Sequence, residues 1–350
     1  MKISTLELKN FRNHQNLKLD IGAGSTLILG PNGSGKTNIL EAIYLLSTTK
    51  SLRTQFDREV IAHDAEFARV VAKVETEGEI KNLEFVISKV PQTENTSTRK
   101  IKIDKKTKQL GDFIGTFNVV LFSPHDVELF TNSPSVRRRH LDILLTQIDK
   151  KYKNAHSEYT KAVRQRNKIL EKIREWHGTF EEAGFWTDKV LEMGRILQKK
   201  RQEFLNFAEK NVNKHLETLD AGGEKTNIEY IKSEISEERF EKYKTAEVAS
   251  AQTLIGPHRD DFLITRNGHN IARYGSRGER RATILGLKLC ELDFMEKEAG
   301  ERPVLLLDDI FSELDEKHRE GVAGIVDLQQ TIVTTADEND AKNGFEVIRL

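Results

Sequence analysis

The 350-residue chain has a single cysteine, Cys290, which excludes an internal disulfide framework and any multi-cysteine metal site. Cys290 sits among Leu287, Leu289 and Leu292, the company of a small buried hydrophobe. The ten histidines fall into no metal-ligand spacing. No apolar run comes near the roughly 20 residues of a membrane span. The start of the chain, charged at Lys2, Glu7 and Lys9, lacks the apolar core of a secretion signal, so a cytoplasmic globular protein is expected. Neither sign of charge is in excess: 55 Lys and Arg balance 55 Asp and Glu. A nucleic-acid surface therefore requires charge to be unevenly spread along the chain. The length allows a sizeable core and suggests about two domains.

What the chain does contain is organised around Gly30-Pro31-Asn32-Gly33-Ser34-Gly35-Lys36-Thr37, a match to the phosphate-loop pattern G-x-x-x-x-G-K-[ST]. The apolar run Leu27, Ile28, Leu29 predicts a buried strand entering the loop. Ile39, Leu40, Ile43 and Leu46, at helical spacing, predict a helix leaving it. The glycines let the backbone pass close to a polyphosphate, and the helix N-terminus adds roughly half a positive charge. Lys36 is expected to reach the β- and γ-phosphates of ATP, and the Thr37 hydroxyl to ligate Mg²⁺. A plain strand-to-helix turn would need neither residue.

Around this loop the pattern changes several times. Ile3, Leu6 and Leu8 predict an edge strand, followed by Asn10-Phe11-Arg12-Asn13-His14 and a second strand near Leu17–Ile21. Runs at Phe67–Val74, Leu83–Val90 and Lys100–Ile103 predict an antiparallel subdomain. Its edge, with Arg99, Lys100, Lys102, Lys105, Lys106 and Lys108, is either a solvated face or a contact for DNA backbone. Val119–Phe122 reads as a strand buried on both faces. From Arg137 to about Leu219 the β signal vanishes, and apolar residues recur at three- and four-residue steps. Two long helices, broken near His177-Gly178, are expected to form an antiparallel arm. Residues 137–215 hold 19 Lys and Arg against 11 Asp and Glu, the asymmetry that a DNA-facing lobe needs. β signal returns at Asn227–Ile231 and after Gly256-Pro257-His258-Arg259-Asp260-Asp261, where His258 has no nucleophile partner and reads as structural.

Two further stretches complete an ATP site. Ser276 fits an N-cap, with Glu279 three residues on closing a capping box. The same serine, with Gly278, could address a γ-phosphate held by a second subunit. Val304-Leu305-Leu306-Leu307-Asp308-Asp309 is an apolar strand closed by two carboxylates, which are costly there without a cation. Asp308 is expected to hold Mg²⁺ and Asp309 to orient or deprotonate the attacking water. The expected fold is an α/β P-loop ABC-type ATPase head with a mixed sheet, flanking helices and an antiparallel β subdomain. The head would span 1–122 and 251–350, with an inserted, mostly helical lobe at 123–250.

Together these residues resemble the RecF family of bacterial recombination mediators, within the ABC-type ATPases that include the SMC proteins. The likeness runs through Leu6–His14, Gly30–Thr37, Phe122-Ser123-Pro124, Arg137-Arg138 with Leu141-Asp142, Gly256–Asp261, Ser276 and Leu306–Asp315. The resemblance implies a place near the nucleotide for Arg12 and Asn13, and a trans signature role for Ser276 and Gly278. It also makes Asp309 the catalytic acid and Asp315 the dimer-contacting residue. Glu279 stands where Gln is common, and Thr335 where transporters carry a histidine switch. The family implies an ATP-dependent homodimer, weak DNA-stimulated ATPase activity, binding to gapped DNA at single-strand/double-strand junctions, and help from RecO and RecR in placing RecA. Two other readings stay open: a transporter ATPase subunit, which the basic insertion does not suit, and a DNA-binding scaffold with negligible turnover.

Overall fold

The first strand already departs from simple alternation, because it buries Ile3, Leu6, Leu8 and Phe11 with an odd step between the first two. A bulge between Ile3 and Thr5 shifts the register there and restores the inward face. The computed structural model describes residues 1–350 except 52, 55, 92–95, 220–222, 224, 314–323, 325 and 343. The chain divides into two units: Met1–Val127 with Lys214–Gly223 and Arg281–Leu350, and Glu128–Asn213 with Glu224–Arg280.

The first unit carries two sheets. One is antiparallel and runs β2-β1-β4-β5-β6-β7, from β1 (Lys2–Phe11), β2 (His14–Asp20), β4 (Phe67–Thr76), β5 (Glu79–Lys89), β6 (Ser97–Ile103) and β7 (Lys106–Thr107). The other is parallel, in the order β14-β3-β13-β12-β8, from β3 (Ser25–Leu29), β8 (Val119–Phe122), β12 (Val304–Asp308), β13 (Thr331–Thr335) and β14 (Glu346–Arg349). Every residue of β8, β12 and β13 is buried, as strands of a covered parallel sheet are; β8 and β12 are near-continuous apolar runs, while β13 carries three threonines. Strand β3 sits between β14 and β13, and β13 lies beside β12, which brings the end of the phosphate-loop strand close to the acids closing β12. On the basic edge, Arg99 pairs with Asp57 and Lys102 with Glu84, so two of its six cations are already neutralised.

The second unit holds helices Pro134–Ile148, Lys150–Arg174 and Glu237–Ser250, most of the helix Phe180–Thr218, and a small antiparallel sheet. That sheet is ordered β11-β10-β9, from β9 (Thr226–Ile231), β10 (Asp261–Arg266) and β11 (His269–Asn270). The helical segment has one break more than the periodicity suggests. At Asp149 the carboxylate accepts from the Tyr152 N–H and caps a new helix. The position 251, expected to return the chain to the head, falls within the segment Glu224–Arg280 of the second unit. Residues 251–280 lie in the helical unit because β10 pairs with β9 over its whole length. Arg137 also clamps Asp261 through both carboxylate oxygens, at 2.6 and 2.9 Å.

A buried polar cluster joins these pieces of the second unit. Arg201 donates to the Tyr152 hydroxyl at 3.0 Å, the Pro257 carbonyl at 2.7 Å, Asp142 at 2.7 Å and Asp260 at 3.2 Å. Burial pushes the Asp142 carboxyl upward, but Arg201 and His156 outweigh it and hold the pKa far below the usual range. His258 bridges Tyr159 and the Thr253 carbonyl, at 2.7 and 2.8 Å. A carbonyl can only accept, so Nε2 carries the proton and Nδ1 accepts from the Tyr159 hydroxyl. Burial lowers the imidazole pKa, consistent with this neutral tautomer and with the structural role expected from the sequence.

Candidate nucleotide site

The loop after β3 is held open by its backbone. Gly33 and Gly35 take φ of +85° and +102°, a region side chains rarely enter. A Cβ on Gly35 would also lie 2.4 Å from His14 Nε2 and 2.6 Å from Asn13 Oδ1. Lys36 opens the helix Lys36–Thr48, so free N–H groups and the positive helix end face the loop. The ammonium of Lys36 folds back onto the carbonyls of Gly30 and Pro31, at 2.7 and 3.0 Å. Ser34 Oγ is buried without a hydrogen-bond partner among the described residues. An orphaned hydroxyl, a cation resting on neutral carbonyls and a run of N–H groups suit the oxygens of a polyphosphate.

Two residues far apart in sequence meet at the end of this loop. Thr37 Oγ1 donates to Asp308 Oδ1 at 2.8 Å, and Thr334 Oγ1 donates to the same oxygen, also at 2.8 Å. Asp308 closes β12 and is buried. A hydroxyl and a carboxylate are hard oxygen donors of the kind Mg²⁺ prefers, so the pair fits the metal expected from the sequence. Asp309 follows with φ of +48°, its N–H held by Thr334 Oγ1 at 3.0 Å. Thr335 is buried; its carbonyl accepts from Gly30 N and its hydroxyl donates to Asp340 at 2.6 Å.

The turn Arg12–His14 lies against the loop, and its side chains divide the work. The Asn13 amide donates to the Gly33 carbonyl at 3.4 Å and accepts from Asn38, while His14 Nε2 lies 3.1 Å from the Gly35 carbonyl. Arg12 turns elsewhere. Its Nε and Nη2 bind both oxygens of Glu41, at 2.9 and 2.7 Å, and Nη1 donates to the Glu59 carbonyl. Glu41 is fully buried on the phosphate-loop helix.

In the second unit, Ser276 Oγ accepts from the Glu279 N–H at 3.2 Å and Ser276 N donates to the Glu279 carboxylate at 2.6 Å, so the capping box forms as expected. A Cβ on Gly278 would meet open space. Asp315 lies outside the described residues. Sequence reasoning passed over Glu41, His14 and Thr334. Glu41 had a signal, a lone carboxylate in the apolar stretch Ile39-Leu40-Glu41-Ala42-Ile43.

The sequence matches the RecF/RecN/SMC N-terminal domain family over residues 2–350. It is 36% identical over 352 residues to the DNA replication and repair protein RecF of Shouchella clausii, covering 96% of this chain and 92% of that protein. The chain belongs to the RecF family. A solved structure of the recombination mediator protein RecF with ATP, from the RecFOR pathway, superimposes with a TM-score of 0.87 at 34% identity, covering 97% of this chain and 92% of that one. An SMC head bound to the C-terminal winged-helix domain of ScpA shares the fold, with a TM-score of 0.58 at 16% identity over 100% and 94% of the two chains. The α/β head of an ABC-type ATPase is therefore the architecture here. Among the described residues no helix is long and apolar enough to cross a membrane.

Proposed function

We propose that the chain is an ATP-dependent DNA-binding protein of recombinational repair and replication, working in the cytoplasm. The observation that carries this reading is the meeting of Thr37 and Asp308 beside a loop whose Lys36 and Ser34 have no anionic partner among the described residues. Gly30 to Thr37 cradle the triphosphate, with Lys36 leaving its carbonyls for phosphate oxygens. Mg²⁺, when bound, would neutralise phosphate charge, and Thr37 and Asp308 would hold it. Asp309 orients the attacking water and takes its proton. Asn13 braces the loop from outside, with Arg12 behind it on Glu41.

The capped tip at Ser276 and Gly278 supplies the complementary half from a second copy, with Asp315 at the dimer contact. ATP binding closes a homodimer on gapped DNA at single-strand/double-strand junctions, and slow, DNA-stimulated hydrolysis releases it. RecR and RecO are the partners through which such a dimer promotes RecA loading. Sedimentation of the full chain with and without ATP and gapped DNA tests the reading. Dimers that require ATP and carry DNA support it. A monomer that ignores DNA in both conditions refutes it, and an ATP-bound dimer on DNA with no turnover selects the scaffold instead.

A further inference from the structure

The helix Lys150–Arg174 has two unlike faces. Tyr152, Ala155, Tyr159, Ala162, Arg166 and Leu170 form its buried side. At about 100° per residue, Lys150, Lys161, Arg164, Lys168 and Lys172 project from the opposite side, and all five are exposed. Asn154 and Ser157 fill the interval between Lys150 and Lys161, so no acid interrupts the line; Glu158 and Glu171 lie on its flanks. None of the five cations has a carboxylate partner among the described residues, whereas the inward Arg166 is held by Glu247 at 2.6 Å. A helix face built for solvation alternates charge signs at three- and four-residue steps. Here Lys161, Arg164, Lys168 and Lys172 stand at those steps from one another and repel.

Repulsion of this kind is relieved by a long polyanion. From Lys150 to Lys172 the line extends about 33 Å, close to one turn of duplex DNA at about 34 Å. It contains no aromatic side chain, so it offers no platform on which unpaired bases could stack. We propose that this ridge is the track for duplex DNA backbone, the double-stranded side of the junction. The inference rests on the DNA-binding reading above and assigns it to one helix face.

The test compares the full chain with the Lys161→Gln/Arg164→Gln/Lys168→Gln variant, with ATP and magnesium present, on a blunt duplex and on a single strand. Each cation removed from the track lowers the dependence of log affinity on log salt by about 0.9 on duplex. The expected result is a slope lower by about 2.7 for each arm engaged, a duplex affinity down at least tenfold, and single-strand affinity nearly unchanged. These side chains are exposed and unpaired, so melting temperature and ATP affinity should hold. As a second probe, Glu158→Gln/Glu171→Gln should tighten duplex binding by widening the positive face. An unchanged duplex slope in the triple variant, or an equal loss on single strands, overturns the assignment. Failure of the parent chain to bind either DNA overturns the DNA-binding reading itself and the ridge with it.

Discussion

Arg12 is the residue for which resemblance and geometry pull apart, and a mutant cycle separates them. Arg12→Met strips the guanidinium from Glu41, which is fully buried and otherwise receives a short hydrogen bond from the Ser51 hydroxyl. Removing one partner of a buried ion pair costs about 3–5 kcal/mol, because the remaining charge stays desolvated and unpaired. For a unit of this size that corresponds to a melting temperature lower by roughly 6–20 °C. If Arg12 serves mainly as the counter-ion of Glu41, the double variant Arg12→Met/Glu41→Met should recover most of the loss. The two methionines replace the pair with apolar side chains of similar reach, an exchange that is often near neutral. Calorimetry of the four proteins in the cycle gives the coupling, and ATP titration of each shows whether affinity follows stability. A double variant as unstable as Arg12→Met alone would refute the counter-ion argument. A stable double variant that still binds ATP poorly would return Arg12 to direct contact with the nucleotide.

Lys36→Ala should bind ATP about tenfold to a hundredfold more weakly, from a charge-assisted contact of about 1.5–3 kcal/mol, and undiminished affinity in the folded variant would remove the phosphate-loop assignment. Asp309→Asn should bind ATP and accumulate as a dimer without turnover, while Asp308→Asn should lose magnesium dependence; parental hydrolysis by the Asp309 variant would show the two roles to be misassigned. Ser276→Arg should leave ATP binding by the monomer intact and block dimerisation, and normal ATP-driven dimers in sedimentation would exclude the signature role. His258 is held neutral by burial, so its folded pKa lies below the unfolded value of about 6.5. The unfolded chain therefore takes up the proton first, and stability declines as pH drops below about 6.5. Thermal melts from about pH 7 to 5 should show that decline flattened in His258→Gln, and identical slopes would contradict it.

How much could be read in advance depended on whether a feature was local. Gly30–Thr37 and Val304–Asp309 are contiguous patterns in which backbone freedom, apolar burial and terminal charge are all written in order. Their meeting was a reasonable expectation because a parallel sheet places its loops at one end. The capping box at Ser276 and Glu279 was legible for the same local reason. The break at Asp149 was hidden because apolar steps continue smoothly from Leu145 to Tyr152 while only a cap interrupts the backbone. Placement of residues 251–280 with the helical unit depends on β9 pairing with β10 across the 29 residues between them, and no local pattern reports such a choice.

The ionic contacts around the site differ in kind from those within it. Arg12–Glu41 is a closed pair: both carboxylate oxygens are engaged, and separating them would strand a buried charge. Arg201, between Asp142 and Asp260, is closed in the same sense within its own unit. Lys36 instead rests on two neutral carbonyls, and Asp308 accepts from two hydroxyls. Lys36 can exchange its carbonyls for phosphate oxygens of full charge and gain by the exchange. Thr37 and Asp308 can both turn their oxygens to one hard cation without breaking an ion pair, since a hydroxyl that donates to a carboxylate keeps its own lone pairs for a metal. Locked pairs hold the frame, and the exchangeable contacts are concentrated where nucleotide and metal would take their place.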